Sequence, residues 1–239
     1  KDAKSTPEGT QDMLAEAGVM AAVGSHPHLV SLVGIITRGD PLIILLQYCS
    51  EGAILGMLTK AAAQGEQILL LDKFQMAREI ALGMEHLSKH HFIHRDLAAR
   101  NVLHSGGICK VADFGLSRGG SGRTKSEEAE DIATHENYYK SAGGVFPVRW
   151  TAPEAMETMR FTPASDVWSF GIVVVELLTN GETPYSGMSN PDVMKMTMSG
   201  GRHLKPQLCS NKLYTTLTEC WDADPTKRPS FSDLASIFK

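Results

Sequence analysis

The chain has 239 residues, 42% of them hydrophobic, enough for one large core or two small ones. Its 23 Lys and Arg against 27 Asp and Glu give a formal charge of -4, without the basic surplus of a nucleic-acid binder. Cys49, Cys109, Cys209 and Cys220 are scattered with no CxxC pair, so they read as reduced thiols in a cytosolic setting, not a disulfide frame or zinc site.

Residues 10–23 place Met13, Leu14, Ala17 and Met20 at helical spacing, with Glu16 beside the stripe. Two short apolar runs, 29–36 and 42–48, are divided by Arg38-Gly39-Asp40-Pro41 and predict a hairpin. Residues 74–87 are again helical, with Phe74, Ala77, Ile80, Ala81, Met84 and Leu87 on one face. The stretch HFIHRDLAARN, residues 91–101, comes next, then a strand over 108–112 and Asp113-Phe114-Gly115. Residues 119–135 lack periodicity; they are Gly-rich, then acidic at Glu127, Glu128, Glu130 and Asp131, and read as a mobile loop. From Pro163 to Phe238 the pattern is mostly helical. Its longest apolar run, 167–178, is interrupted by Ser169, Gly171 and Glu176 and falls short of a membrane span. There is no signal peptide and no initiator Met, so the chain reads as a piece of something longer whose membrane anchor, if any, lies outside it. No internal repeat is visible. Strands early and helices late predict an α+β fold, not an alternating parallel sheet.

A carboxylate beside a hydroxyl can take its proton as the hydroxyl attacks, and Asp96 suits that role. The amide oxygen of Asn101 and the carboxylate of Asp113 are hard ligands suited to Mg²⁺. Asp96, Asn101 and Asp113, in that order with a strand between the last two, describe metal-assisted phosphoryl transfer.

Residues 94–101 together with Asp113-Phe114-Gly115 resemble the catalytic core of the eukaryotic protein kinases. Ala152-Pro153-Glu154, the run from Asp166 to Gly171, Cys220-Trp221 and Arg228-Pro229 extend the resemblance over essentially the whole chain. It implies a two-lobed α+β fold and one domain over 1–239. Residues 1–48 would be a truncated N-terminal β lobe and the start of the hinge, and 49–239 an essentially complete helical C-lobe. It also implies ATP and Mg²⁺ as cofactors, protein substrates, and a cytoplasmic setting that could be the intracellular part of a membrane receptor. Glu154 would pair with Arg228, and Asp166 would anchor the catalytic loop. Serine/threonine kinases place a Lys two residues after the base, where this chain has Ala98. Arg100, four after Asp96, and Pro147-Val148-Arg149-Trp150 match the tyrosine-kinase arrangement, with Pro147 in the platform that receives a phenol ring.

By the same resemblance Leu46 is the gatekeeper, and Gln47 and Cys49 offer backbone hydrogen bonds to adenine. Leu103 and Ala112 border the nucleotide from below. Met20, Leu32, His94 and Phe114 stack as the regulatory spine, and Glu16 takes the helix position that pairs with the strand lysine. Tyr138 and Tyr139 match activation-loop phosphorylation sites, with Arg95 as the cation for a phosphate there. The acidic run ahead of them suits autophosphorylation.

The family covers ATP phosphates with a Gly-rich loop, and no such loop precedes Glu16 in this sequence. Gly119-Gly120-Ser121-Gly122 follows Asp113-Phe114-Gly115 and opens no helix. Lys1 stands fifteen residues before Glu16, a separation some tyrosine kinases use; yet Lys1-Asp2-Ala3 also matches the "LKD" that follows the strand lysine. Both alignments stand, and under either the resemblance implies tyrosine-kinase activity for the parent domain and an impaired enzyme for this chain by itself. The segment from Asp113 to Glu154 is longer than usual for the family. A pseudokinase-like module that binds partners without catalysis is the alternative from another class. His26-Pro27-His28 reads as a turn cap before a metal site, and the Met-rich run 188–198 as helix packing.

Overall fold

A computed structural model of the chain describes residues 7–38, 42–113, 118–119, 139–141 and 144–239. Lys1, Phe114, Tyr138 and residues 120–135 lie outside these, as do the expectations that rest on them, and Tyr139 is described in its backbone alone.

Helix α1 (Pro7–Val23) begins three residues earlier than the pattern predicts; of the expected stripe it buries Ala17 and Met20, with Val23 beyond them, while Met13 is half-buried and Leu14 exposed, because only the C-terminal half of the helix meets the core. Gly24 ends it in the left-handed region (φ 75°), with its N–H on the Met20 carbonyl. His26 then closes a turn, its Nδ1 accepting from the His28 N–H at 3.2 Å. The run 29–36 is divided between two partners. Leu29 and Val30 pair with Val111, and only β1 (Leu32–Ile36) forms the antiparallel hairpin with β2 (Ile43–Leu46). The register runs from Leu32↔Leu46 to Ile36↔Ile43, with a bulge between Leu32 and Gly34.

Two residues, β3 (Gly52–Ala53), lead into α2 (Ile54–Ala63), which the sequence reading leaves unassigned. Helix α3 (Leu70–Lys89) extends the expected 74–87 at both ends, with Asp72 in its first turn and His86 and Lys89 in its last, as the macrodipole favours. Its buried face, Met76 to Leu87, packs toward the later helices. At Gly83 a Cβ would meet the His28 carbonyl oxygen at 2.5 Å, so this position lets α3 approach the His26–His28 turn. Strands β4 (Phe92–Ile93), β5 (Val102–Ser105) and β6 (Ile108–Val111) follow. β5 and β6 form a hairpin through Gly106 and Gly107, both at positive φ as a tight two-residue turn requires. β3 lines the other edge of β5, while β4 pairs with β7 (Arg118–Gly119), and β8 (Tyr139–Ser141) pairs with β9 (Gly144–Phe146).

The rest is helical: α4 (Pro153–Thr158), α5 (Pro163–Leu178), α6 (Asn190–Met198), α7 (Asn211–Cys220) and α8 (Phe231–Ile237). Thr162 and Ser165 cap α5 reciprocally, with Pro163 in its first turn. Every residue of α5 from Ser165 onward is buried, so the interrupted apolar run is the central core helix. Phe170 meets Phe231 and Phe238 edge-on, and Phe74 of α3 meets Phe238 likewise, which locks α3, α5 and α8 together. Arg228 grips Glu154 through both terminal nitrogens at 2.7 and 2.8 Å and lies over the Trp168 ring. The molecule is thus mixed α+β, mostly helical, with small antiparallel sheets. The strands do not all come early, because the two-residue pieces between helices carry no period for a sequence pattern to reveal. Among the described residues no helix is long and apolar enough to cross a membrane.

Gly171 provides a stability prediction. An added Cβ would lie 2.5 Å from Trp221 Nε1 and 3.1 Å from Cys220 Cβ, against side chains with no room to retreat. Gly171→Ala gains about 1 kcal/mol of helix propensity, yet overpacking of this kind costs about 1–3 kcal/mol and should prevail. Thermal melting should show a lowered Tm; an unchanged or raised Tm would mean the Trp221 ring yields.

Candidate active site

The loop between β4 and β5 carries the opening constellation, and α5 holds it from below. Asp166, buried at the start of α5, accepts the His94 N–H at 2.8 Å and the Arg95 N–H at 3.0 Å on separate oxygens. Burial pushes its carboxyl up from the usual range, while these two N–H bonds and the Arg95 charge pull the other way. The grip fixes Arg95 in a left-handed conformation (φ 71°). His94 is fully buried. Its Nδ1 accepts the Asp96 N–H at 3.3 Å and its Nε2 therefore donates to the Ala112 carbonyl at 3.0 Å, an arrangement that suits the neutral Nε2–H tautomer.

That bracing aims Asp96. Its Oδ1 is paired with Arg100 Nη2, and its Oδ2 accepts from Asn101 Nδ2 at 2.9 Å. Asn101 Nδ2 also donates to the Asp96 carbonyl at 2.7 Å, so both of these bonds use the nitrogen and orient Oδ1 as the amide's oxygen ligand. The Asn101 carbonyl takes the Ala112 N–H at 2.9 Å, which brings the strand preceding Asp113 alongside. Asp113 is exposed and sits at φ 62°. Asn101 and Asp113 fit Mg²⁺, an ion usually held by one or two protein oxygens together with substrate phosphates.

The Arg100 guanidinium lies over the Trp150 ring at 4.5 Å. Trp150 ends the short 3-10 turn Val148–Trp150 that follows the buried Pro147. This segment is fastened firmly. Arg149 donates to the carbonyls of Pro184, Tyr185 and Met188 at 2.6–3.0 Å, and Ser169 Oγ donates to the Trp150 carbonyl at 2.7 Å. Glu176 Oε2 accepts both the Ala99 N–H and Trp150 Nε1–H, each at 2.9 Å. Burial pushes this carboxyl up to about 7, against the pull of those bonds and of Arg100. The sequence places Trp150 in the expected platform motif but gives Glu176 no role there; its one signal is a lone carboxylate inside an apolar run.

At the end of β2, Leu46 is exposed, and Cys49 beyond it is buried. The Gln47 N–H donates to the Ser31 carbonyl at 2.9 Å. The Cys49 carbonyl accepts from the Gly52 N–H at 3.3 Å. Leu103 is half-buried in β5, and Ala112 is buried just beyond β6, opposite Asn101. Of the residues expected to stack as a spine, Met20 and His94 are buried and Leu32 half-buried, and Phe114 lies outside the described residues. Glu16 is half-buried on α1, and Arg95 places its guanidinium over the Phe161 ring at 5.5 Å. The histidines form no metal group among the described residues: His26 and His86 stack at 4.6 Å, and burial beside His86 and His28 pulls His26 down to about 4.

A kinase-type catalytic loop braced by a core-helix aspartate, beside paired oxygen ligands, defines a phosphotransferase class. Residues 1–238 match the family described as protein tyrosine and serine/threonine kinase. The chain belongs to that family. It is 42% identical over 233 residues to ephrin type-A receptor 7 of Gallus gallus, and 41% identical to ephrin type-A receptor 5 of Rattus norvegicus over the same length. Each alignment covers 97% of this chain and 22% of the relative, so the chain spans about a fifth of these receptors.

Proposed function

We propose that this domain transfers the γ-phosphate of ATP to tyrosine hydroxyls of proteins, as the two-lobed kinase domain of a membrane receptor's intracellular part. The division at residues 48/49 into N-lobe with hinge and C-lobe belongs to this reading. The observation that carries it is the placement of Arg100 between the Asp96 carboxylate and the Trp150 ring. A lysine two residues after the base, the serine/threonine arrangement, would need position 98, which is a fully buried alanine.

Asp96 accepts the phenol proton as the phenolic oxygen forms its bond to the γ-phosphorus and the bond to ADP breaks. Arg100 and Asn101 hold the carboxylate in place for that transfer. Pro147 and the fastened turn behind it set the ring at the distance a tyrosine requires. Mg²⁺, when bound, would be held by Asn101 Oδ1 and Asp113 and would offset the phosphate charge. Gln47 and Cys49 would meet adenine through the backbone, with Leu46, Leu103 and Ala112 around the base. Phosphate on Tyr138 or Tyr139 would pair with Arg95 and order the segment before Pro147, with Phe114 and Glu16 part of the same regulatory assembly.

Incubation of the intact protein with Mg-ATP and a tyrosine peptide should yield phosphotyrosine, and chelation of the metal should stop it. Nucleotide binding without transfer to any peptide would instead support a partner-binding module.

A further inference from the structure

Glu176 lies in the central helix, fully enclosed, and no step of the reaction described above uses it. One oxygen of its carboxylate receives two donors from different parts of the site: the Ala99 N–H of the catalytic loop and the indole N–H of Trp150 from the acceptor platform. On its other side the Trp150 ring carries the Arg100 guanidinium at 4.5 Å, and Arg100 in turn pairs with the Asp96 carboxylate. The contacts form a continuous path from Glu176 through Trp150 and Arg100 to Asp96. A second anchor, Ser169 Oγ on the Trp150 carbonyl, fixes the backbone of that residue but not the tilt of its ring.

We propose that Glu176 is a positioning residue for tyrosine transfer: by holding the Trp150 ring and the Ala99 backbone at one point, it sets the guanidinium of Arg100 against Asp96 and keeps the acceptor platform in register with the base. The inference rests on the tyrosine-kinase reading. A buried carboxylate is costly where an apolar side chain would pack, so its retention here is matched by what its oxygen joins. The charged groups that bear on it are Arg100, which favours the carboxylate, and Asp96, which opposes it.

Two measurements test this, one independent of turnover. In the first, the indole proton resonance of Trp150 is followed by NMR against pH and assigned by its loss in Trp150→Phe. It should shift with a midpoint near neutrality, where burial places the Glu176 carboxyl, and the shift should vanish in Glu176→Gln. A resonance that is flat with pH and also unmoved by Glu176→Gln would overturn the proposal. In the second, Glu176→Met, which removes the acceptor at similar volume, should raise the KM for a tyrosine peptide about tenfold with the KM for ATP within about twofold. Glu176→Gln, which keeps an acceptor oxygen, should recover most of the difference. Equal effects on both substrates, or no effect, would reduce Glu176 to core structure. Should the Met variant fail to fold, Trp150→Phe keeps a ring beneath Arg100 and removes only the donor; its peptide KM should rise in the same direction, and an unchanged value would also overturn the proposal. Titration of the indole in a protein that phosphorylates no tyrosine would sink the tyrosine-kinase reading and leave the coupling intact.

Discussion

Asp96→Asn is expected to lower phosphate transfer to a tyrosine peptide by about 100- to 10,000-fold, the usual contribution of a positioned general base. Nucleotide affinity should stay within about twofold, because the proposed roles turn Asp96 to the acceptor and Asn101 and Asp113 to the metal and phosphates. The amide is nearly isosteric and retains one oxygen, so Arg100 or Asn101 keeps a partner; what is lost is proton affinity. That oxygen can satisfy only one of the two donors now on Oδ1 and Oδ2, so a modest loss of order in the loop should accompany the chemical defect. Rapid-quench measurement of the transfer step separates the two effects, since disorder would also weaken peptide binding. Near-parental turnover would mean that Asp96 is not the base.

Asp166→Ala should do more damage to the fold than any substitution in the loop itself. It would leave the buried His94 N–H and the part-buried Arg95 N–H without their acceptors, at about 1–3 kcal/mol each, and open a void under the loop. Arg95 would also lose the restraint that holds it at φ 71°. Together these should cost about 3–6 kcal/mol. Asp166→Asn does not rescue the site, since its NH₂ would point at one of the same donors. Chemical denaturation should show the loss of stability, and turnover should fall with it even under conditions where the variant remains folded. A variant with parental stability and parental rate would show that the loop holds its shape unaided.

Much of this arrangement is legible in the residues, for identifiable reasons. Helices α1 and α3 announce themselves because apolar residues recur at helical spacing, whereas α5, buried on all sides, shows only as an interrupted apolar run in a mostly helical stretch. Asp96, Asn101 and Asp113 stand out because three hard-ligand or base side chains occupy an ordered spacing around a strand. The hairpin of β1 and β2 is visible as two apolar runs about a turn, yet the diversion of Leu29 and Val30 to Val111 is not, since that choice depends on where α3 brings the turn at His26. Helix α2 carries too little contrast, with Ile54 and Leu58 buried ahead of a plain alanine run. Strands of two residues leave no period at all. Glu176 reads as an interruption of an apolar stretch because its meaning lies in partners 26 and 77 positions away along the chain. Hydrogen bonds of that separation are set by packing, not by local spacing.

The central claim is that the site built around Asp96, Arg100 and the Pro147–Trp150 turn selects a tyrosine hydroxyl. Its most direct test presents the intact protein and Mg-ATP with matched peptides that differ only in carrying tyrosine, serine or threonine at one position, with Asp113→Ala as the control for contaminating activity. The account predicts phosphate on tyrosine with a preference of about a hundredfold or more, because the shorter hydroxyls do not reach the base from a platform set for a phenol, and loss of that signal in the control. Serine or threonine phosphorylated as well as tyrosine, by an activity that disappears in the control, would contradict it.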